Sequence, residues 1–181
     1  LSYTEKGIQY PAVSYTATTR QIPIIIQRYQ TVESFAKASL EEIYGVKMLE
    51  SSLHYSINTF TSVWLENLGN GKYKTHPLPA MAQFSSINAI EKIEYQQQPS
   101  LVIAGNLMQF EVETPNNDAS VGLIMQYGAG KLTPVFPAES RLCIRGDVKD
   151  LKKIKLANGR TALLVARNNN TLQLLQIGQC D

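Results

Sequence analysis

One pattern in this chain is written twice. Thr61-Ser62-Val63-Trp64-Leu65 lies over Ala119-Ser120-Val121-Gly122-Leu123, and the turn Gly69-Asn70-Gly71-Lys72 falls near Gly128-Ala129-Gly130-Lys131, one residue out of step. Further on, Ile90-Glu91-Lys92-Ile93 meets Leu151-Lys152-Lys153-Ile154, and LVIAGN at 101–106 meets LLVARN at 163–168. A repeat with a period of roughly 60 residues and about four strands has the anatomy of a propeller blade. Such a unit cannot bury its faces alone and must stack on its neighbour. The expectation is a mainly β chain with about two propeller-like, four-stranded antiparallel blades. Residues 51–118 form the first blade-like repeat and 119–181 the second, with Val63 superposing on Val121 and Ile103 on Val165.

The strands are legible from short apolar or alternating runs set between Gly, Asn and Pro. They are LHYSINTF, TSVWLENL, KYKTHPL, NAIEKIEY, SLVIAGN, ASVGLIMQYG, KLTPVF, VKDLKKIKL, TALLVARN and TLQLLQI. Leu101-Val102-Ile103-Ala104 is apolar throughout, the mark of a strand covered on both faces. The loop in ENLGNGKY resembles a phosphate cradle at first sight, but a cradle must open a helix, and KYKTHPLP is strand-like with two prolines. Its Asn-Gly suits a tight hairpin turn.

Residues 1–50 are a lead-in of different character. QIPIIIQRY reads as a buried strand, with Pro23 near its start. From Thr31 the positions Val32, Phe35, Ala36, Ser39, Leu40, Ile43 and Tyr44 follow the spacing of a one-faced helix. This predicts one N-terminal helix over 31–44, capped by Thr31 and ended by Gly45 in the left-handed C′ position.

Composition narrows the function. The 181 residues are 44% hydrophobic and 18% charged, as in a globular protein, and a net charge of +2 is too small to argue for nucleic acid or an anionic membrane. The longest apolar candidate, IPIIIQ, is strand-sized, so no membrane insertion is expected. The first ten residues lack a basic start followed by an apolar core, which predicts no signal peptide. Cys143 and Cys180 have neither CxxC spacing nor neighbouring histidines, which argues against zinc and leaves their pairing open.

No motif assembles a catalytic constellation. His54 and His76 fall in predicted strands, and no G-x-S-x-G elbow supplies a nucleophile. Glu41-Glu42 reads as a helix's polar face and 149–153 as a solvated strand edge. Arg145-Gly146-Asp147 spells a tripeptide that adhesion receptors read, but it sits at the lead-in to a blade's inner strands. Three residues remain as candidates to face a ligand. Trp64 reads as core, with stacking on a sugar as the alternative. Asn106 and Asp118 lie near blade junctions, where short side chains satisfy backbone groups, and so border the propeller's axial face.

The block SVWLENLGNGKYKTHPLPAMAQF…LVIAGN resembles the FG-GAP/VCBS repeats of integrin-like β-propellers. The longer order adds to this: FAKASLEEIYG, LENLGNGKY, LPAMAQFSSINAI, LVIAGN, DASVGL, GDVKDLKKI and LLVARNNNTLQLLQI. It is similar to the C-terminal portion of large bacterial surface proteins of the ASPIC/UnbV-associated type. The resemblance covers nearly the whole chain from about Ile22. It implies a non-catalytic binding or scaffold module at the cell surface or outside the cell, associated with the outer membrane. Its partner would be a protein or the remaining blades of a larger chain, and the alternative is a glycan-binding accessory of polysaccharide uptake or degradation. The family's calcium loops correspond to 95–100 and 156–160, which here hold no acid, so no calcium or other cofactor is carried over. Asn117 stands where the family often has a basic residue, so no salt bridge at Asp118 is carried over either.

Overall fold

The computed structural model describes residues 1–109 and 115–176. The chain divides into two compact units, Leu1–Asn58 and Thr59–Asp181. It is mainly β, with several small antiparallel sheets that do not close into a barrel or ring among the described residues.

The first unit starts with a hairpin, β1 (Ser2–Glu5) and β2 (Ile8–Pro11). Five short helices follow: α1 (Tyr15–Gln21), α2 (Ile25–Arg28), α3 (Val32–Ala36), α4 (Leu40–Tyr44) and α5 (Val46–Glu50). The strand expected in QIPIIIQRY is therefore helical. An apolar run this short has no period of its own to decide the matter. Only Ile25 of its consecutive isoleucines enters the core, beside Phe35, Ala38 and Ile43, with Tyr15 and Tyr29 packed edge-on to Phe35.

The single helix expected over 31–44 is two. Thr31 caps α3 as its sequence suggested, but Ser39 starts a second capping box, exchanging bonds with Glu42. That break turns Val32 out to solvent and brings Ala38 in. Gly45 ends α4 with a positive φ of 82° but an extended ψ of 144°, not the left-handed helical pair.

The second unit holds β3 (Val63–Gly69), β4 (Lys72–Pro77), β5 (Ile87–Tyr95), β6 (Gln98–Gly105), β7 (Leu123–Gly128) and β8 (Lys131–Val135). After α6 (Pro137–Ser140) come β9 (Val148–Lys155), β10 (Thr161–Arg167) and β11 (Gln173–Gln176). The run LHYSINTF joins no strand. The loop questioned in ENLGNGKY is a two-residue hairpin turn, Asn70-Gly71, with φ of 52° and 72°. Ala129-Gly130 repeats it with φ of 49° and 72°.

The two turns recur, but the sheets do not follow the bounds expected for two repeats. A four-stranded antiparallel sheet does form, in the order β5-β6-β7-β8, while β3-β4 stands as a two-stranded sheet and β9-β10-β11 as a three-stranded one. Neither repeat, as bounded at 51–118 and 119–181, is thus one sheet. The cause lies in the connections. The stretch after β4 makes a 3-10 turn at Ala80–Gln83 and leaves the hairpin for the next sheet. The stretch after β6 folds back through the Leu107–Asn117 bridge and lays β7 beside β6.

The registers show which residues correspond. Both β5–β6 and β9–β10 break step at one place, after Ile87 and after Val148, so the pair Ile90–Ile103 holds the ladder position of Leu151–Val165. Counted back from the two turns, Trp64–His76 matches Ile124–Val135. Val63 therefore lies on Leu123, not on Val121, because a bulge between Asn67 and Gly69 adds a residue to β3.

The sheets stack face to face in a fixed sense. Ile103, Leu123 and Met125 pack on Leu78 and Ala82, in the connection that follows the lone hairpin. Val102, Ala104 and Ile124, on the opposite face of that sheet, pack on Leu163 and Val165 of the next. Since Val165 corresponds to Ile103, the four-stranded and three-stranded sheets turn the same face backwards. Apolar burial on both sides of β6 explains its continuous apolar run. β5 and β9 lie side by side: the Asn88 amide donates to Val148 O (2.9 Å), and Lys153 N donates to the Glu91 carboxylate (3.1 Å). Both partners advance together, so the two strands run parallel, joined by side chains rather than by a ladder.

Candidate functional site

The hairpin bulge decides what meets at the surface of β3–β4. Without it, counting from Asn70-Gly71 would set Trp64 opposite Pro77; with it, Trp64 faces His76. The two rings stack with centroids 4.3 Å apart and planes 9° from parallel. Glu66 follows Trp64 on the same face by the two-residue period of a strand. Its carboxylate lies 2.8 Å from His76 Nε2, and the pair is an ion pair when the imidazole is protonated. Tyr127, from the four-stranded sheet, closes edge-on at 6.4 Å from the indole.

The cluster is open to solvent. Trp64 is half-buried, the Tyr127 ring is exposed, and both Glu66 and His76 reach water. Trp64 is therefore not the core residue its sequence suggested. Three aromatic rings beside one carboxylate offer stacking surface and a hydrogen-bond acceptor, the chemistry of an amphipathic ligand. His54, by contrast, sits outside any strand, with its ring near Leu49 O (2.7 Å).

Asn106 is turned inward, at 1% exposure. Its side chain accepts from Ser120 N (3.1 Å) and donates to Ser120 O (2.8 Å) and Gly146 O (3.1 Å). Every group of the amide is occupied but one lone pair, so it presents nothing to a ligand. Its backbone carbonyl accepts from Asn88, whose amide also reaches Val148. The two asparagines thus tie the four-stranded sheet to the approach and first residue of β9. Asp118 is exposed and far along the loop. The structure brings Trp64, Asn106 and Asp118 to three different settings, not to one site.

Gln83 repeats the clamp elsewhere. Its amide accepts from Ser62 N (2.7 Å) and donates to Ser62 O and Leu78 O (both 3.0 Å), fixing the entry to β3. Asp147 of the Arg-Gly-Asp tripeptide is 3% exposed. Lys149 Nζ lies 2.7 Å from its Oδ1, off hydrogen-bond alignment and so a charge contact, while Asn168 Nδ2 donates to Oδ2 (3.4 Å). A buried carboxylate of this kind is not displayed to a receptor.

Among the described residues no three His, Cys, Asp or Glu side chains gather as a metal site, and no helix is long and apolar enough to cross a membrane. Loops 95–100 and 156–160 join β5 to β6 and β9 to β10, and are tight turns closed by Gln96-Gln97 and by Leu156 N donating to Arg160 O (2.9 Å). Cys143 is exposed, and Cys180 lies outside the described residues, as does any pairing between them. A wide groove of about 910 Å³ lies within the first unit, beside Tyr10, Lys37, Glu41 and Glu42. Comparison with protein families, curated proteins and solved structures found no match to this chain.

Proposed function

We propose that the chain is a non-catalytic binding and scaffold module, built from propeller-like blades of FG-GAP/VCBS type and acting at the cell surface or outside the cell. The observation that carries the reading is the head-to-tail stacking of the sheets. The four-stranded sheet meets the three-stranded one face to face, with Val102, Ala104 and Ile124 against Leu163 and Val165, and the first strands β5 and β9 run parallel at their common edge. Repeated in one sense, that step generates a ring or an open array. The motif order given above supports the same family. The partner on this reading is a protein or further blades of the same kind.

The aromatic cluster favours a second reading, a glycan-binding accessory. Trp64, His76 and Tyr127 hold ring surface at the protein's exterior, where burial alone does not require it. A glycan array on the whole chain separates the two. A scaffold leaves the array blank; a glycan-binding accessory gives a signal that Trp64→Ala abolishes.

A further inference from the structure

We propose that Asn70, at the tip of the β3–β4 hairpin, is a site of spontaneous covalent modification whose product loosens the strands that hold Trp64 and His76. The chemistry belongs to an asparagine followed by a glycine. The glycine nitrogen attacks the side-chain carbonyl carbon Cγ and gives up its proton, and the Cγ–Nδ2 bond breaks as ammonia leaves. Water then opens the cyclic imide. Attack at Cγ leaves aspartate. Attack at the main-chain carbonyl leaves isoaspartate, whose backbone runs through Cγ and is longer by a methylene. Water is the only co-reactant.

The chain holds two Asn-Gly pairs, Asn70-Gly71 and Asn158-Gly159, and the structure treats them differently. Neither glycine has a Cβ to shield the attacking nitrogen. At 158–159 both reacting groups are held: Gly159 N donates to Leu156 O (2.9 Å), and Asn158 Oδ1 accepts from Arg160 N (3.0 Å). At 70–71 neither is held. The ladder closes on Gly69 and Lys72, outside the pair, and the neighbouring side-chain bond runs from Gly69 N to Asn67 Oδ1 (2.8 Å). Among the described residues the Asn70 side chain and the Gly71 N–H have no hydrogen-bond partner, and both residues are exposed.

The other copy of the turn supplies the control. Ala129-Gly130 joins β7 to β8 with φ of 49° and 72°, against 52° and 72° at Asn70-Gly71. The turn therefore forms without an asparagine amide, and Ala129 has none to lose. The settings differ as well. β7 is flanked by β6, whereas β3–β4 stands as a two-stranded sheet, an arrangement that is marginal by itself. Its register is set by its turn. A methylene inserted there, with a new carboxylate, displaces one strand along the other and separates the rings of Trp64 and His76, now 4.3 Å apart. The modification thus dismantles the aromatic cluster with time and in one direction. The inference rests on neither reading of the function, since it needs only the turn, and a blank glycan array leaves it standing.

The test ages the whole 181-residue chain in warm neutral buffer, with and without urea, and maps both Asn-Gly peptides by mass spectrometry. In buffer Asn70 should convert about tenfold or more faster than Asn158, because groups held in hydrogen bonds react only through local opening. In urea, where neither site keeps its bonds, the two rates should converge. As isoaspartate accumulates at Asn70, the fluorescence of Trp64, the only tryptophan, should change in proportion. Asn70→Ala, which copies the second turn, and Asn70→Gly should keep their fluorescence when aged alongside. Equal rates in buffer, a ratio that survives urea, or fluorescence untouched after Asn70 has converted would overturn the inference. So would the same drift in either variant.

Discussion

Replacing Asn106 by alanine tests how the four-stranded sheet is fixed to its neighbour. The substitution removes three side-chain hydrogen bonds in a site closed to water. Gly146 O keeps a bond from Val148 N (3.1 Å), but Ser120 loses the partners of both its N–H and its carbonyl. At roughly 1 kcal/mol per bond, with orphaned buried groups at the upper end, the loss is about 3 kcal/mol. The backbone adds to it. Asn106 has φ of 82°, which asparagine tolerates and alanine resists by about 1 kcal/mol. The total, about 4 kcal/mol, is a large share of a domain's stability. Trp64 is the only tryptophan in the chain and lies in the second unit, so its fluorescence reports that unit's unfolding in urea. With a slope of about 2 kcal/mol per molar, the midpoint should fall by about 2 M. Asn106→Gly keeps the bond loss but relieves the backbone, and should recover about 1 kcal/mol relative to alanine. A loss below about 1 kcal/mol in the alanine variant would refute the reasoning, because it would mean that water satisfies Ser120 as well as the amide does.

Gly105→Ala should be at least as damaging, since its Cβ would stand 1.7 Å from Ser86 O and the β5–β6 ladder would have to part; a cost of about 3 kcal/mol or more is expected by the same urea assay, and a neutral result would mean the strands approach less closely. In the first unit, the Ser39 backbone N–H, and then its hydroxyl, hold the Glu42 carboxyl below the ordinary carboxylate range. A lowered folded pKa means that the cap contributes fully above the unfolded value and loses its contribution as pH falls through the folded one. An NMR titration should therefore show Glu42 protonating below the ordinary carboxylate range in the parent and moving only part of the way back in Ser39→Ala, which removes the hydroxyl but keeps the backbone N–H. Millimolar calcium should leave the melting temperature unchanged, because loops 95–100 and 156–160 hold no carboxylate and a native-state ligand must raise stability by mass action. A rise of several degrees that a chelator reverses would contradict this.

Much of the β architecture could be read from local signals, and the residues show why. Asn70-Gly71 and Ala129-Gly130 needed only turn chemistry, and β6 only its continuous apolar run. What stayed hidden was non-local. A repeat fixes its period but not where a sheet begins within it, and that was decided by a 3-10 turn at Ala80–Gln83 and a bridge between Leu107 and Asn117. The stack of Trp64 on His76 was hidden by the bulge beside Leu68, since the turn alone would have opposed Trp64 to Pro77. Tyr127 joins them from another sheet, and no spacing along the chain announces that. In the first unit, the isoleucines of IPIIIQ carried strand propensity, yet the only strands there are already paired, and the run found its burial as helix around Ile25.

The most direct test of the stacked-blade account is a map of interstrand proton contacts in the second unit by NMR. The account requires ladder contacts between β6 and β7, and parallel side-by-side contacts linking Asn88 to Val148 and Glu91 to Lys153, with none between β4 and β5. A β4–β5 ladder, or β9 running antiparallel to β5, would contradict it.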